Sequence, residues 1–412
     1  PIIIISMKRI ILLSFLLIGM SYCSVKNPNK ADDGDSVLEI DLFSESKPAG
    51  GKLSAFADDI EFIPLQTTRE SLIGGPRRRV VSREQRIYVS DVMRIMCFDI
   101  EGRFLYKLNK LGRGPGEYSV IFYFDVDPDN KYLVIPNHNK LLFYGISDTG
   151  FYFQRSLAFN EDVLYVSEIV PGTNNIFIPI PPWRGNEQTL SLLIDNFGDT
   201  VHFKPNCYKY TKQSKGGSRS LSEMQVYSID KKVCFKEEFS DTVFYVDTKD
   251  NHFKPRMILN SHNTIVTPER RGGSETAPKA RSGVNRIFET SRYVFINCVI
   301  KDSQDRDIEN RIIFDKTTNI KYMLDIDSER KSPLVDDLGG GPDVNMCYRD
   351  YSFNGDMLFS FVEAHALKKH VASEEFKNAK VKYPEKKERI KELSDSLDDM
   401  DNPVLVMVRL KR

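Results

Sequence analysis

Leu111-Gly112-Arg113-Gly114-Pro115-Gly116-Glu117-Tyr118 lies between two segments of nearly the same design, and that repetition decides the fold. Three glycines and a proline within five residues cannot continue a helix or a central strand. Glycine admits positive φ, and proline lacks the N–H that a ladder needs. The octapeptide is a tight, shaped connection. Ahead of it lie Arg86–Asp91, Arg94–Asp99, the turn Glu101-Gly102 and Arg103–Leu108, three short β-rich runs. Behind it lie Phe124–Asp127, the turn Pro128-Asp129-Asn130, Lys131–Ile135, Lys140–Tyr144, the turn Asp148-Thr149-Gly150 and Phe151–Phe153. One unit written twice predicts a repeat architecture.

A glycine-rich loop can cradle phosphate. Here the spacing is neither that of a P-loop nor that of a dinucleotide fingerprint, and a strand follows where a helix would be needed. Gly112, Gly114, Pro115, Gly116, Glu117 and Tyr118 therefore read as a structural joint between repeat units. Further apolar runs continue the pattern. Ile87–Val89, Tyr132–Ile135, Ile176–Ile178, Lys232–Phe235, Tyr293–Ile296 and Met357–Phe361 are taken as one inner strand per unit. Their spacing of roughly 45 to 65 residues suits four-stranded propeller blades with some long loops. Six anchors predict an all-β, six-bladed β-propeller of antiparallel blades.

The Gly-x-Gly-Pro-Gly-Glu-Tyr turn resembles the hallmark of the six-bladed propeller lipoproteins of Bacteroidetes. Three further segments are similar to that family: Ile60–Thr68 with Ser71–Gly74 after it, the turn Asp99–Phe104, and Asp401–Val406. The resemblance brackets nearly the whole chain. It implies a fold and an address, and no reaction.

The N-terminus agrees with that address. Lys8-Arg9 is a positive n-region, and Ile10–Met20 is an apolar stretch too short to span a bilayer. Ser21-Tyr22-Cys23 then follows. Residues 1–23 read as a lipoprotein-type signal with Cys23 as the lipidated residue. An ordinary secretory signal or an uncleaved anchor is the other reading, because Tyr22 is bulky where a small residue is usual. Residues 24–36 are polar and acidic, a flexible tether. Residues 37–412 form the propeller. The expected location is the cell envelope, lipid-anchored to the outer membrane.

Within the propeller region, Val37–Leu42 and Ile60–Leu65 are expected strands. Arg77-Arg78-Arg79 reads as a solvated strand edge or turn in preference to an anion site. Residues 372–400 are expected as a helical insertion, with a helix from Glu385 to Met400. It presents Ile390, Leu393, Leu397 and Met400 on one face, which docks on the propeller itself or binds a partner. Val404–Leu410 is a long β run. It is expected to close the ring by pairing with the segment Val37–Leu65.

Charges cancel over 412 residues, so no global field draws in nucleic acid or an anionic membrane. Cys97, Cys234, Cys298 and Cys347 lie in or beside apolar runs and read as buried thiols, with no C-x-x-C for a disulfide framework or a zinc site. No Gly-x-Ser-x-Gly elbow occurs. His138, His202, His252, His262, His365 and His370 are scattered and could meet only if their loops converged at a channel mouth. Four residues are candidate ligand contacts. Asp125 and Asp127 either bind a cation at a blade turn or cap strands. Trp183 either stacks on a sugar or packs down on its blade. Arg113 is the cation of the joint. Neither a metal nor a cofactor is expected. The favoured function is a monomeric, non-enzymatic envelope module that binds glycan, peptide or another envelope protein. The alternative is a hydrolase or lyase with its site at the central channel mouth.

Overall fold

Six sheets of successive strands radiate from a common centre in the computed structural model of the chain. The structure describes residues 37–75, 79–160, 163, 167–211, 224–346 and 352–412. Blade 1 comprises Arg79–Arg83, Arg86–Ser90, Ile95–Asp99 and Phe104–Leu108. Blade 2 comprises Asp125–Val126, Tyr132–Asn137, Lys140–Ser147 and Gly150–Ala158. Blade 3 is Glu168–Ile169, Ile176–Pro179, Thr189–Ile194 and Thr200–Pro205. Blade 4 is Met224–Ile229, Lys232–Glu237, Thr242–Asp247 and His252–Asn260. Blade 5 is Ser282–Glu289, Tyr293–Lys301, Asp307–Asp315 and Ile320–Met323. Blade 6 joins both ends of this region: Ser352–Asn354, Met357–Val362 and Val404–Leu410, then Ala57–Pro64 as its outer strand. The protein is a six-bladed β-propeller.

The first strand of each blade lies at the centre, where it meets first strands of neighbouring blades. The apolar runs taken as inner strands are instead the second strand of every blade. The reason is burial. A second strand is covered on both faces by adjacent blades, so it reads as continuous hydrophobic sequence, as in Ile176–Pro179, buried throughout. The first strand lines the channel and carries polar residues, which hide it in a hydropathy reading.

Ring closure is by antiparallel pairing. Val404–Leu410 pairs antiparallel with Met357–Val362 on one side and with Ala57–Pro64 on the other. Of the N-terminal segment expected to pair with Val404–Leu410, only the later part does so. Leu38–Asp41 runs parallel to Met257–Asn260 as a fifth strand on blade 4, and Lys47–Pro48 runs parallel to Tyr322–Met323 on blade 5. These additions cover two outer edges that would otherwise be open.

The insertion in blade 6 begins earlier than expected and holds three helices, Ala364–Val371, Glu374–Asn378 and Pro384–Ser396. The last helix stops at Ser396 because Leu397 is extended, so Met400 falls off the apolar face and is solvent-exposed. Ile390 and Leu397 pack with Leu367, Phe376 and Val404. Lys386 reaches the outer strand of blade 6, pairing with Asp59 at 2.8 Å and donating to the Ile60 carbonyl at 2.8 Å. The helix docks on its own propeller.

The joint between blades 1 and 2 is built around two side chains. The Glu117 carboxylate accepts the Gly114 N–H at 2.7 Å. The Tyr118 hydroxyl accepts the Lys110 N–H at 3.1 Å and lies 3.0 Å from the Met93 carbonyl, to which it donates. Gly116 sits at φ +70°, and a Cβ there would lie 2.5 Å from the ring of Phe153. Gly116→Ala combines left-handed backbone strain with overpacking and is expected to cost about 2–4 kcal/mol in urea unfolding.

Candidate functional site

Polar side chains of the first strands face the channel and clasp neighbouring blades. Arg79 donates from Nε to the Phe124 carbonyl at 2.9 Å, and Arg83 from Nε to the Val126 carbonyl at 2.9 Å. Arg83 also pairs with Asp125 at 3.0 Å. Asp125 in turn accepts the Ile169 N–H of blade 3 at 2.9 Å. Glu168 of blade 3 lies 3.6 Å from Arg79, accepts the Tyr123 hydroxyl, and meets Ser228 Oγ of blade 4 at 3.4 Å. Gln225 donates to the Val284 carbonyl of blade 5 at 2.7 Å. Ser291 Oγ binds Asp356 at 2.9 Å, and Asn354 reaches the Ser82 carbonyl at 2.8 Å. The polar clasp runs through all six blades.

Two buried carboxylates that bridge blades differ in state for a visible reason. Burial is the largest influence on both and raises both. At Glu168 it prevails over the pull of Arg79 and Arg83, so the carboxyl titrates above its ordinary range. At Glu289 it does not prevail. Arg256 Nε and Nη2 lie at 2.6 and 2.7 Å, Lys316 Nζ at 2.7 Å and the Tyr227 hydroxyl at 3.1 Å, and together they hold the carboxyl below its ordinary value. Arg79 lies over the Tyr123 ring at 3.5 Å and keeps 26% of its side chain exposed. Arg79, Tyr123, Glu168 and Ser228 together form a pre-organised polar patch on the channel wall. The arginine read as a solvated edge is therefore a wall residue that binds across blades, while Arg77 and Arg78 lie outside the described residues.

A family described as a domain of unknown function (DUF4934) matches residues 37–409. The chain belongs to this family. No curated protein matches it. Among solved structures, a Bacteroides fragilis protein named only for an inferred export is similar over 92% of this chain and 100% of its own, at 16% identity and a TM-score of 0.63. A DUF4221 member from Bacteroides vulgatus is similar over 86% of this chain and 97% of its own, at 12% identity and a TM-score of 0.45. The first likeness concerns fold alone. The family match bears out the resemblance to the Bacteroidetes six-bladed propellers.

In this DUF4934 chain the candidate residues fall in different places. Asp125 is buried, and its oxygens are occupied by Arg83 and by the Val126 and Ile169 N–H groups. Asp127 caps its turn, accepting the Lys131 N–H at 3.2 Å. Both geometries are those of strand and turn capping. Trp183 is only 5% exposed, in a loop held by the Tyr210 hydroxyl on the Pro182 carbonyl at 2.6 Å. The exposed stacking platform is replaced by packing, because the loop folds down on its blade. Arg113 is exposed on the joint. Cys23 and Cys347 lie outside the described residues.

The histidines do not converge. His138 lies by Ser119 at 3.1 Å, and His370 lies 2.9 Å from the Gly340 carbonyl. His202 and His252 lie 4.5 Å apart with tilted rings, between the outer strands of blades 3 and 4. His262 lies 3.2 Å from Asp41, and His365 is exposed in the insertion. Among the described residues no three His, Cys, Asp or Glu side chains are grouped to hold a metal ion. Cys97 and Cys298 are buried, and burial pushes their thiols up to about 11 and about 12. Cys207 is exposed.

Sequence reasoning missed Arg79, Arg83, Tyr123, Glu168, Ser228 and Glu289. Their one signal was a polar residue inside the first β run of each repeat. It also missed a buried charged group between blades 3 and 4. There Lys204 pairs with Glu237 at 2.7 Å, Arg271 lies 3.7 Å from Glu238, and Lys236 donates to the Glu237 carbonyl at 3.1 Å. Burial drives the Lys236 ammonium down to about 8, against the pull of Asp241, Glu237 and Glu238. Between that value and its ordinary 10.5 the unfolded chain holds a proton that the folded chain lacks, so stability rises with pH there. Unfolding free energy is expected to climb from pH 8 to pH 10, and Lys236→Met is expected to flatten that climb in urea titrations.

Proposed function

We propose that the chain is a non-enzymatic binding or scaffold module of the cell envelope, lipid-anchored to the outer membrane through Cys23 and engaging a glycan, a peptide or another envelope protein. One observation carries this. The channel acids are spent on joining blades, with Asp125 bonded to blade 3 and Glu168 to Ser228 of blade 4 and to Arg79 of blade 1, so the central face is a rigid platform. The inferred export of the Bacteroides fragilis neighbour is consistent with an envelope address.

Glu168 favours a second reading. A buried carboxyl held above its ordinary range beside Tyr123 and Arg79 has the character of a general acid, as a channel hydrolase would need.

A thermal-shift screen of the chain from Ser24 against divalent metals, glycans and peptides separates the two, because a ligand selective for the folded state raises Tm. A glycan or peptide that raises Tm and is recovered unchanged supports the binding module. Turnover that is lost in Glu168→Gln overturns it. Labelling growing cells with an alkyne fatty acid is expected to mark the full-length protein and not Cys23→Ala. Light scattering is expected to give the mass of one chain.

A further inference from the structure

The upper face of blade 1 carries three large apolar side chains open to solvent, Leu72 at 49%, Met93 at 55% and Leu111 at 51% exposure. They come from three loops tied together below the surface. Arg94 Nη2 donates to the Leu72 carbonyl at 3.0 Å and to Asp91 at 2.7 Å. Tyr118 of the glycine-rich joint bonds the Met93 carbonyl and the Lys110 N–H, and its backbone bridges to Leu111. Met93 follows Val92, the one β-branched residue at positive φ among the described residues, at +67°. That conformation is strained for valine. It is held by the Ile121 N–H on the Val92 carbonyl at 2.8 Å and by Asp91 capping the Met93 and Arg94 N–H groups at 3.2 and 3.0 Å. The turn places the Met93 side chain in water.

The charges in these loops have a basic surplus. Arg69, Lys110 and Arg113 are exposed in the same loops. The nearby acids are engaged: Glu70 with Lys107 at 2.7 Å, Asp91 with Arg94, and Glu117 with the Gly114 N–H. We propose that Leu72, Met93 and Leu111, ringed by Arg69, Lys110 and Arg113, form a docking surface for an acidic segment of a partner protein that carries apolar anchor residues. This rests on the binding-module reading and names the kind of partner for it.

The test uses the chain from Ser24 and a fluorescein-labelled peptide alternating Glu and Asp with Leu and Phe, with a Lys-for-Glu version as control. Saturable anisotropy for the acidic peptide only, weakening as salt is raised, is the expected result. Met93→Asp and Leu111→Asp, at exposed positions, should keep the parent Tm and lose at least tenfold in affinity. No saturable binding overturns the proposal, and so does binding that both variants retain. Binding to phosphatidylglycerol vesicles that depends on Met93 and Leu111, without peptide binding, also overturns it, as the surface would then be a membrane contact. A glycan that raises Tm equally in parent and variants leaves the binding module standing after the patch has failed. Substrate turnover would remove both.

Discussion

A chain ending at Pro403 is expected to lose its cooperative unfolding transition. The missing strand, Val404–Leu410, hydrogen-bonds on both edges, to Met357–Val362 and to Ala57–Pro64, and is the link that makes the sheet system a ring. Val404, Leu405, Val406, Val408 and Leu410 are all buried. At about 1.5–3 kcal/mol each, their burial contributes about 7–15 kcal/mol, as large as the whole net stability of an ordinary domain. Removal also opens two strand edges, which favours aggregation. Differential scanning calorimetry should show no single sharp transition. A sharp transition within a few degrees of the parent would show that the ring closes without this strand.

The second large effect is at Glu289. Glu289→Ala removes the partner of Arg256, Lys316 and Tyr227 at once and leaves two cations in a mostly buried site. Breaking such a pair from one side costs about 3–5 kcal/mol, chiefly because the remaining charge stays desolvated. The expected result in urea is a loss of that size at pH 7. Glu168→Gln should cost much less there, since Glu168 has one cation at 3.6 Å and burial already disfavours its charge.

The pH dependence of the two has opposite signs. Glu289 is depressed in the folded state, so its contribution is present above the unfolded carboxylate range and is lost as pH falls through its lower folded value. Glu168 is raised, so its contribution is present below that range and is lost as pH rises through its higher folded value. Urea titrations from pH 3 to 8 on the parent and the two Gln variants would resolve both. Equal losses from Glu289→Gln and Glu168→Gln at pH 7 would contradict the assignment of charge.

Much of this architecture was legible because it is local. Gly112 to Tyr118, Glu101-Gly102 and Asp148 to Gly150 punctuate strands by backbone chemistry that needs no tertiary partner. The second strand of each blade is covered on both faces, and that burial appears directly as an apolar run. The same clarity misled the placement of the inner strands. A strand lining a channel mixes polar and apolar residues, and no period separates Arg79 or Glu168 from surface charge. The helix of the insertion was visible in Ile390 and Leu393. Its end was not, since Leu397 is turned into extended backbone and Met400 is left in water.

By itself the sequence determined the repeat, the number of blades, the joints and the family, all of which follow from spacing and turn chemistry within a few tens of residues. Only the tertiary structure decided which charges meet. Arg83 and Asp125 are 42 residues apart, Asp125 and the Ile169 N–H 44, and Tyr227 and Glu289 62. Each pair forms because adjacent blades bring first-strand positions together, where the cations that meet a buried carboxyl set whether it keeps its charge. The apolar patch on blade 1 has the same origin. Leu72, Met93 and Leu111 share no local pattern, and the hydrogen bonds of Arg94 and Tyr118 bring their three loops to one face.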